Sequence, residues 1–263
     1  MRTFAASLTT LRDLVCFGLT GFALVWLVQR GAEQLGYTWH WRQLPRALFT
    51  VSEGAFVPGP LLKGLAVTVE ITLISLVLAA LIGLATALLR LSGSFVGRCL
   101  ARVYLESIRN TPLLVQIFFL YFVMAPIFDL GRTATAVLAL SLFEGAYASE
   151  IFRSGIASIG RGQWEACYSL GLSRVQSYRR VILPQALRRV LPPLTSQAVS
   201  LIKDSALVST IAVYDLTMEA RTIVADTFLT FEIWFVVAAI YLALTLTLSA
   251  LANALERRYP RIA

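Results

Sequence analysis

"ITLISLVLAALIGLATALL", Ile71–Leu89, carries no charged residue, and its length of about 20 residues is what a helix rising about 1.5 Å per residue needs to cross roughly 30 Å of hydrocarbon. A water-soluble domain has no use for such a segment. Near the other end of the chain Ile233–Leu255 repeats the signal. Composition agrees: of 263 residues, 57% are hydrophobic and 14% charged, against about 25% charged in a typical soluble domain, and the mean hydropathy is +0.73. The chain reads as a membrane protein.

Working outward from these two spans, four more helices are predicted. Leu14–Val28 is uncharged and fits either a short first span or the core of a signal peptide. The span is preferred, because Gln29-Arg30-Gly31-Ala32-Glu33 follows it instead of a small-residue cleavage site. Ala101 to Ile127, Thr133 to Phe152 and Val190 to Tyr214 complete the set, each with charges inside. The expected fold class is therefore all-α: a polytopic membrane protein with six transmembrane helices, one N-terminal helix (residues 1–60 with its external loop) and a five-helix core (61–258). Residues 259–263 form a cytoplasmic tail. A basic segment lies between the fourth and fifth helices.

Lys and Arg accumulate on the cytoplasmic side of short loops. With sides alternating, one set of loops collects Arg2, Arg12, Arg90, Arg98, Arg102, the arginines from Arg153 to Arg189, and Arg257, Arg258 and Arg261. The other holds only Arg30, Arg42, Arg46, Lys63, Arg132 and Arg221. Both termini and the basic segment are thus expected in the cytoplasm. The formal charge of +8 is mostly this bias, so no nucleic-acid partner is inferred from it. Outside, residues 31–61 carry Trp39, Trp41, Pro45, Pro58 and Pro60 and suit an interfacial loop at headgroup level.

Other chemistries find little support. Cys16, Cys99 and Cys167 are odd in number and lack C-x-x-C spacing, which argues against a disulfide framework. His40 stands alone, so no histidine-based metal site is expected. Neither G-x-S-x-G nor G-x-x-x-x-G-K-[ST] occurs, leaving no catalytic nucleophile elbow and no phosphate-cradling loop.

The basic segment "EACYSLGLSRVQSYRRVILPQALRR", Glu165–Arg189, carries the most information. Gln163 to Leu170 favours helix, with Trp164, Tyr168 and Leu172 at i, i+4 and i+8 as a bulky stripe. Gly171 fits the left-handed residue that ends a helix, and Ser173 with Gln176 matches a capping box that starts another. In the second helix Val175, Tyr178 and Ile182 share a face. Leu183-Pro184 is expected to interrupt it, since a residue before proline avoids the α region. This bent amphipathic elbow, 161–184, fits two roles: lying on anionic headgroups with its apolar stripe in membrane lipid, or docking in the groove of a soluble partner.

Glu165-Ala166-Cys167, then Gly171, then Ile182-Leu183-Pro184 resembles the EAA motif of bacterial ABC-importer permeases. "ESIRNTPLLVQIFFLYF" (Glu106–Phe122), "GAYASEIFRSGIASIGRGQWEA" (Gly145–Ala166) and "SLIKDSALVSTIAV" (Ser200–Val213) are similar to the polar amino-acid permeases among them. The likeness spans about Gly64 to Arg258. Cys167 departs from the usual second alanine, and Ile182-Leu183-Pro184 lacks an intervening residue of the looser pattern. The resemblance implies a multi-pass permease of the bacterial inner membrane, paired with a second permease that is identical or related, importing a polar amino acid. A cytoplasmic ABC ATPase dimer would hold ATP-Mg, no cofactor being bound by this chain. The elbow would couple to it through Glu165, Ala166, Gly171, Ile182, Leu183 and Pro184. An extracytoplasmic amino-acid-binding protein would deliver the substrate.

Ionisable groups inside a membrane mark pathways or structural pairs. Glu144 falls mid-helix, as do Lys203, Asp204 and Ser205, with Glu70 further out; these are candidates for the substrate path. Glu106, Arg109 and Glu150 lie nearer the cytoplasm and suit structural or gating roles. The pairings expected are Glu144 with Lys203, and Glu106 or Glu150 with Arg109. Asn110-Thr111-Pro112 interrupts the third helix, and the carbonyl that Pro112 leaves without a donor needs another partner; a kink or gate is expected there. The competing class is a secondary transporter of small polar solutes needing no ATPase, for which inverted repeats are the usual sign.

Overall fold

A computed structural model describes residues 2–34, 36–52 and 55–258; the tail expected at 259–263 lies outside them. The chain divides into two compact units, 1–43 and 44–263. In the first, α1 (Arg2–Gln34) is a single helix. Its stretch Arg12–Gly31 is apolar enough to cross a membrane, and Leu14, Phe17, Phe22 and Leu24 are all exposed, as on a helix whose solvent is lipid. Arg30 sits 5.0 Å over the ring of Trp26. Beyond α1, Trp39 and Trp41 stack at 5.5 Å.

The second unit begins with α2 (Leu44–Leu48) and an antiparallel pair, β1 (Phe49–Ser52) and β2 (Ala55–Pro58), with Phe49 opposite Pro58 and Ser52 opposite Ala55. This hairpin is the one departure from all-helical structure among the described residues. The Gly59 amide donates to the Leu48 carbonyl at 2.7 Å, and a Cβ on Gly59 would sit 2.6 Å from the Ala47 carbonyl oxygen. There follow α3 (Pro60–Leu91), α4 (Phe95–Arg109), α5 (Leu113–Phe119), a π-turn (Leu120–Met124), α6 (Ala125–Phe128) and α7 (Arg132–Ala157). Then come α8 (Arg161–Ser169), α9 (Arg174–Ser177), a second π-turn (Tyr178–Ile182), α10 (Leu183–Asp204), a 3-10 stretch (Ser205–Ile211), α11 (Leu216–Thr227) and α12 (Thr230–Arg258).

Among the described residues, four helices are long and apolar enough to span a membrane: Arg12–Gly31, Pro60–Leu91, Arg132–Ala157 and Thr230–Ala254. A fifth candidate is the pair Phe95–Arg109 and Leu113–Phe128, bent by 107°. The helix expected over 101–127, with a kink at Asn110-Thr111-Pro112, begins earlier, at Phe95, and is sharply bent at that tripeptide. The helix expected over 190–214 is α10, which ends at Asp204 and tightens into the 3-10 stretch. α10 does not reach the same apolarity, since it carries Arg188, Arg189, Lys203 and Asp204.

α3 and α7 form the centre, and small residues let them close. A Cβ on Gly83 would meet the Ala148 Cβ at 2.7 Å and the Ser149 amide nitrogen at 2.9 Å. α10 approaches α7 in the same way, for a Cβ on Gly155 would lie 2.1 Å from a Val190 methyl. With no difference in apolarity between lipid and side chain, such close contact supplies the packing energy that burial supplies in water. Ile71, Ile117, Leu140, Leu201 and Val208 fill the main core. At the other end, the Thr68 hydroxyl accepts from the Leu216 amide at 3.1 Å, joining α3 to α11, and Asp215 caps α11 by accepting from the Met218 amide at 2.8 Å.

Candidate functional site

The elbow is built by local backbone chemistry. After α8 the Gly171 amide donates to the Tyr168 carbonyl at 2.9 Å and the Leu172 amide to the Cys167 carbonyl at 3.1 Å. These are the two bonds of a Schellman ending, with Gly171 at φ +68°. Two residues on, Ser173 caps α9: its hydroxyl accepts from the Gln176 amide at 3.3 Å while the Gln176 side chain accepts from the Ser173 amide at 2.9 Å. Both turns of chain are therefore hydrogen-bonded within a few residues, and the bend is rigid.

The elbow's base is anchored. Ile182, fully buried, packs with Ile156, Ile159 and Ala186; the Trp164 and Tyr178 rings meet edge to face at 5.0 Å; Gln185 donates to Gln163 at 3.0 Å; and Arg189 donates to the hydroxyl of Ser158 at 2.9 Å. Its tip is bare: Tyr168, Leu170 and Val175 are 57%, 77% and 75% exposed. The stripe expected from Trp164, Tyr168 and Leu172 splits accordingly, since α8 packs inward through Trp164 and Cys167 and turns Tyr168 out. Of the other coupling candidates, Glu165, Ala166, Gly171 and Pro184 are exposed and Leu183 is half-buried.

The expected interruption at Leu183-Pro184 does not occur. Leu183 is helical, at φ −62° and ψ −42°, and its amide donates five residues back to the Tyr178 carbonyl. The wide π-turn shifts the bonding register, so Pro184 enters at the start of α10, where a missing N–H costs nothing.

The second break is at Asn110-Thr111-Pro112, between α4 and α5. Proline removes the donor that would have reached the Ile108 carbonyl. The Gln116 side-chain amide replaces it, donating to the Ile108 carbonyl at 2.7 Å and to the Thr111 carbonyl at 2.9 Å. Asn110 donates from its side chain to the Glu106 carboxylate at 2.9 Å. Gln116 was not among the residues singled out from sequence, although a lone amide in "LLVQIFF", four residues after a proline, is the signal that finds it.

The interior charges are arranged otherwise than expected. Glu150 pairs with Arg90 of α3 and with Arg153 one turn along α7, not with Arg109. A carboxylate on α7 reaches the α3 terminus because those two helices are in contact over their length. Arg109 instead lies 5.8 Å from the ring centre of Tyr147. Among the described residues no ion pair joins Glu144 to Lys203; Glu144 is buried, and one carboxylate oxygen has no hydrogen-bond partner. Asp204 is half-buried and Ser205 buried, while Lys203 and Glu70 are exposed.

Residues 76–261 match the family model described as binding-protein-dependent transport system inner membrane component. The chain is 40% identical over 201 residues to the glutamine transport system permease protein of Escherichia coli (strain K12), covering 75% of this chain and 92% of that one. It is also 40% identical over 206 residues to the L-cystine transport system permease protein of Bacillus subtilis (strain 168), covering 77% and 88%. Among solved structures, an amino acid ABC transporter crystallised with histidines matches at 37% identity and TM-score 0.69, over 76% of this chain and 94% of that one. An inward-facing methionine ABC transporter shares the fold at 18% identity and TM-score 0.66, over 76% and 96%. This chain belongs to the binding-protein-dependent transport system inner membrane component family: it is the membrane permease subunit of an ABC importer.

Proposed function

We propose that the chain crosses the membrane six times and moves a polar amino acid inward through its five-helix core, which an N-terminal membrane helix precedes. In this reading both termini are cytoplasmic, the bent pair α4 to α6 makes the third crossing, α10 the fifth, and a second permease, identical or related, covers the polar face of α10. The boundaries stay at 1–60 for the N-terminal helix and external loop, 61–258 for the importer domain and 259–263 for the tail. Amino acids are the substrate class because the relatives matched at 40% identity are named for glutamine and cystine transport.

The observation that carries the proposal is the elbow, an internally bonded bend with an apolar tip. It docks in a groove on a separate cytoplasmic ATPase, which binds ATP-Mg, and an extracytoplasmic binding protein supplies the solute. Closure of the ATPase dimer drives the elbows together and shifts the helices between outward-facing and inward-facing states, because ATP binds one state more tightly. Valine at Gly171 would carry about 1–3 kcal/mol of backbone strain at that positive φ. Gly171→Val is expected to abolish both ATPase co-purification and ATP-driven uptake in vesicles, whereas Gly162→Ala, in open surroundings, leaves them intact. Survival of both in Gly171→Val removes docking as the elbow's role. Accumulation by vesicles holding this chain alone favours the secondary transporter instead.

For the path we assign Glu144, Asp204 and Ser205 to the solute's ammonium side, and Lys203 and Glu70 to its approaches. Lys203→Met is expected to stop transport with ATPase association unchanged. Collapse of the assembled complex in that variant makes Lys203 a structural residue.

A further inference from the structure

Pro192 and Pro193 stand in the middle of α10, a helix that runs on unbroken from Leu183 to Asp204. Proline has no N–H, so the carbonyls of Arg188 and Arg189 lose the donors that an ordinary helix places four residues on. A second device sits in the turn that follows. The hydroxyls of Thr195 and Ser196 both bond back to the Pro192 carbonyl, at 2.7 and 3.3 Å, and hydroxyls bonded in this way bend helices. Two successive main-chain bonds are thus missing, and the next acceptor is shared with two side chains.

The two halves of α10 are held by different parts of the protein. The inner half is fixed to the elbow: Ala186 packs with Ile156, Ile159 and Ile182, and Val190 sits against Gly155, where no Cβ would fit. The outer half belongs to the main core, where Leu201 joins Ile71, Leu140 and Val208, and it ends at Asp204 and Ser205. Beside the junction lies a cleft of about 560 Å³ between α3, α10 and α12, lined by Leu76, Thr195, Ala198 and Leu251 among others. A close-packed interior resists displacement. Here one side of the helix has room to move, and that room begins at the weakened turn.

We propose that Pro192-Pro193 is a hinge at which the elbow-bearing half of α10 turns against the half that carries Asp204 and Ser205, the cleft taking up the displacement. A hinge concentrates a rotation in a few residues and leaves the flanking segments rigid. That matches a helix weakened at one turn and anchored on both sides of it. Pro184, by contrast, lies at the start of α10 and removes no bond the helix needs. That an ATPase drives the motion rests on the docking reading above; the hinge itself rests on α10 and its neighbours.

The test uses the full chain in lipid nanodiscs, spin-labelled at Leu187 and Leu242, exposed positions on α10 and α12, in a background of Cys16→Ser and Cys99→Ser, the two exposed cysteines. By double electron-electron resonance the chain alone is expected to give a broad distance distribution. Pro192→Ala with Pro193→Ala supplies both missing donors and is expected to narrow it. In the assembled importer, ATP binding is expected to shift the wild-type distance and to leave that of the double variant in place, with ATPase co-purification intact and uptake about tenfold lower. Should the double variant fail to fold, Ala254→Trp, which leaves α10 unchanged and fills the cleft from α12, decides alone, and the same narrowing is expected. Equal widths in wild type and variant, or an ATP-driven shift that persists in the variant, overturns the hinge. Narrowing in the chain alone, with no response of the wild-type importer to ATP, supports the hinge and overturns the docking reading instead.

Discussion

α7 and α12 are both long enough to cross a membrane, yet they sit in opposite surroundings. α7 is mostly buried against its neighbours although it is the less apolar of the two, and few residues of α12 are buried although it is the more apolar. The less apolar helix is the interior one. In a soluble protein the order would be reversed, because water drives apolar surface inward. Lipid exerts no such preference, so position is decided by how closely a helix can be approached and by which polar groups need partners. α7 offers Gly145, Ala148, Ser149 and Gly155 to its neighbours, all buried. α12 offers Leu242, Leu246 and Leu251 to the outside, all exposed.

The sharpest way to break this comparison is Gly83→Val, which drives methyl groups into Ala148 and the α7 backbone. Overpacking of this kind destabilises by about 3 kcal/mol, and the variant is expected to melt well below wild type in detergent. An unchanged melting temperature means that α3 and α7 are not in close contact. Gln116→Leu is expected to cost about 1–3 kcal/mol, since the half-buried Ile108 and Thr111 carbonyls lose the Gln116 amide; Gln116→Asn, too short to reach both, is not expected to restore the loss. Hydrogen exchange at the α4–α5 junction checks this, the expected result being faster exchange around Thr111. The smallest effect belongs to the lipid side. Leu246→Ala on α12 is expected to shift stability by less than about 0.5 kcal/mol, and a larger loss shows that this face is covered by another subunit.

Two bends in the chain show how far local chemistry carries. At the elbow every bond that shapes the turn lies within six residues, so Gly171, Ser173 and Gln176 were readable in one dimension. At Pro112 the break was readable and the lone amide of Gln116 is a signal of its repair, but the carbonyls it reaches were not readable, because Gln116 acts by folding back over the turn rather than through a standard cap. Leu183-Pro184 misled for a related reason. The rule that a pre-proline residue avoids the helix assumes ordinary i→i+4 bonding, and the π-turn just before it changes the register.

The charges divide along the same line. Arg153 lies three residues from Glu150 and its pairing is a local matter, whereas Arg90 is separated from Glu150 by a whole helix hairpin. Nothing in the spacing distinguishes it from Arg109 as a partner; helix rotation and depth do.

Amino-acid order alone determined that this chain lives in a bilayer, which segments run as helices, and where the elbow bends, because those properties depend on hydropathy and on hydrogen bonds between near neighbours. Which helix occupies the middle, which carboxylate meets which arginine, and which carbonyls the Gln116 amide reaches were decided only by tertiary packing. Each depends on how two segments distant in sequence are rotated against each other, and periodicity carries no information about that angle.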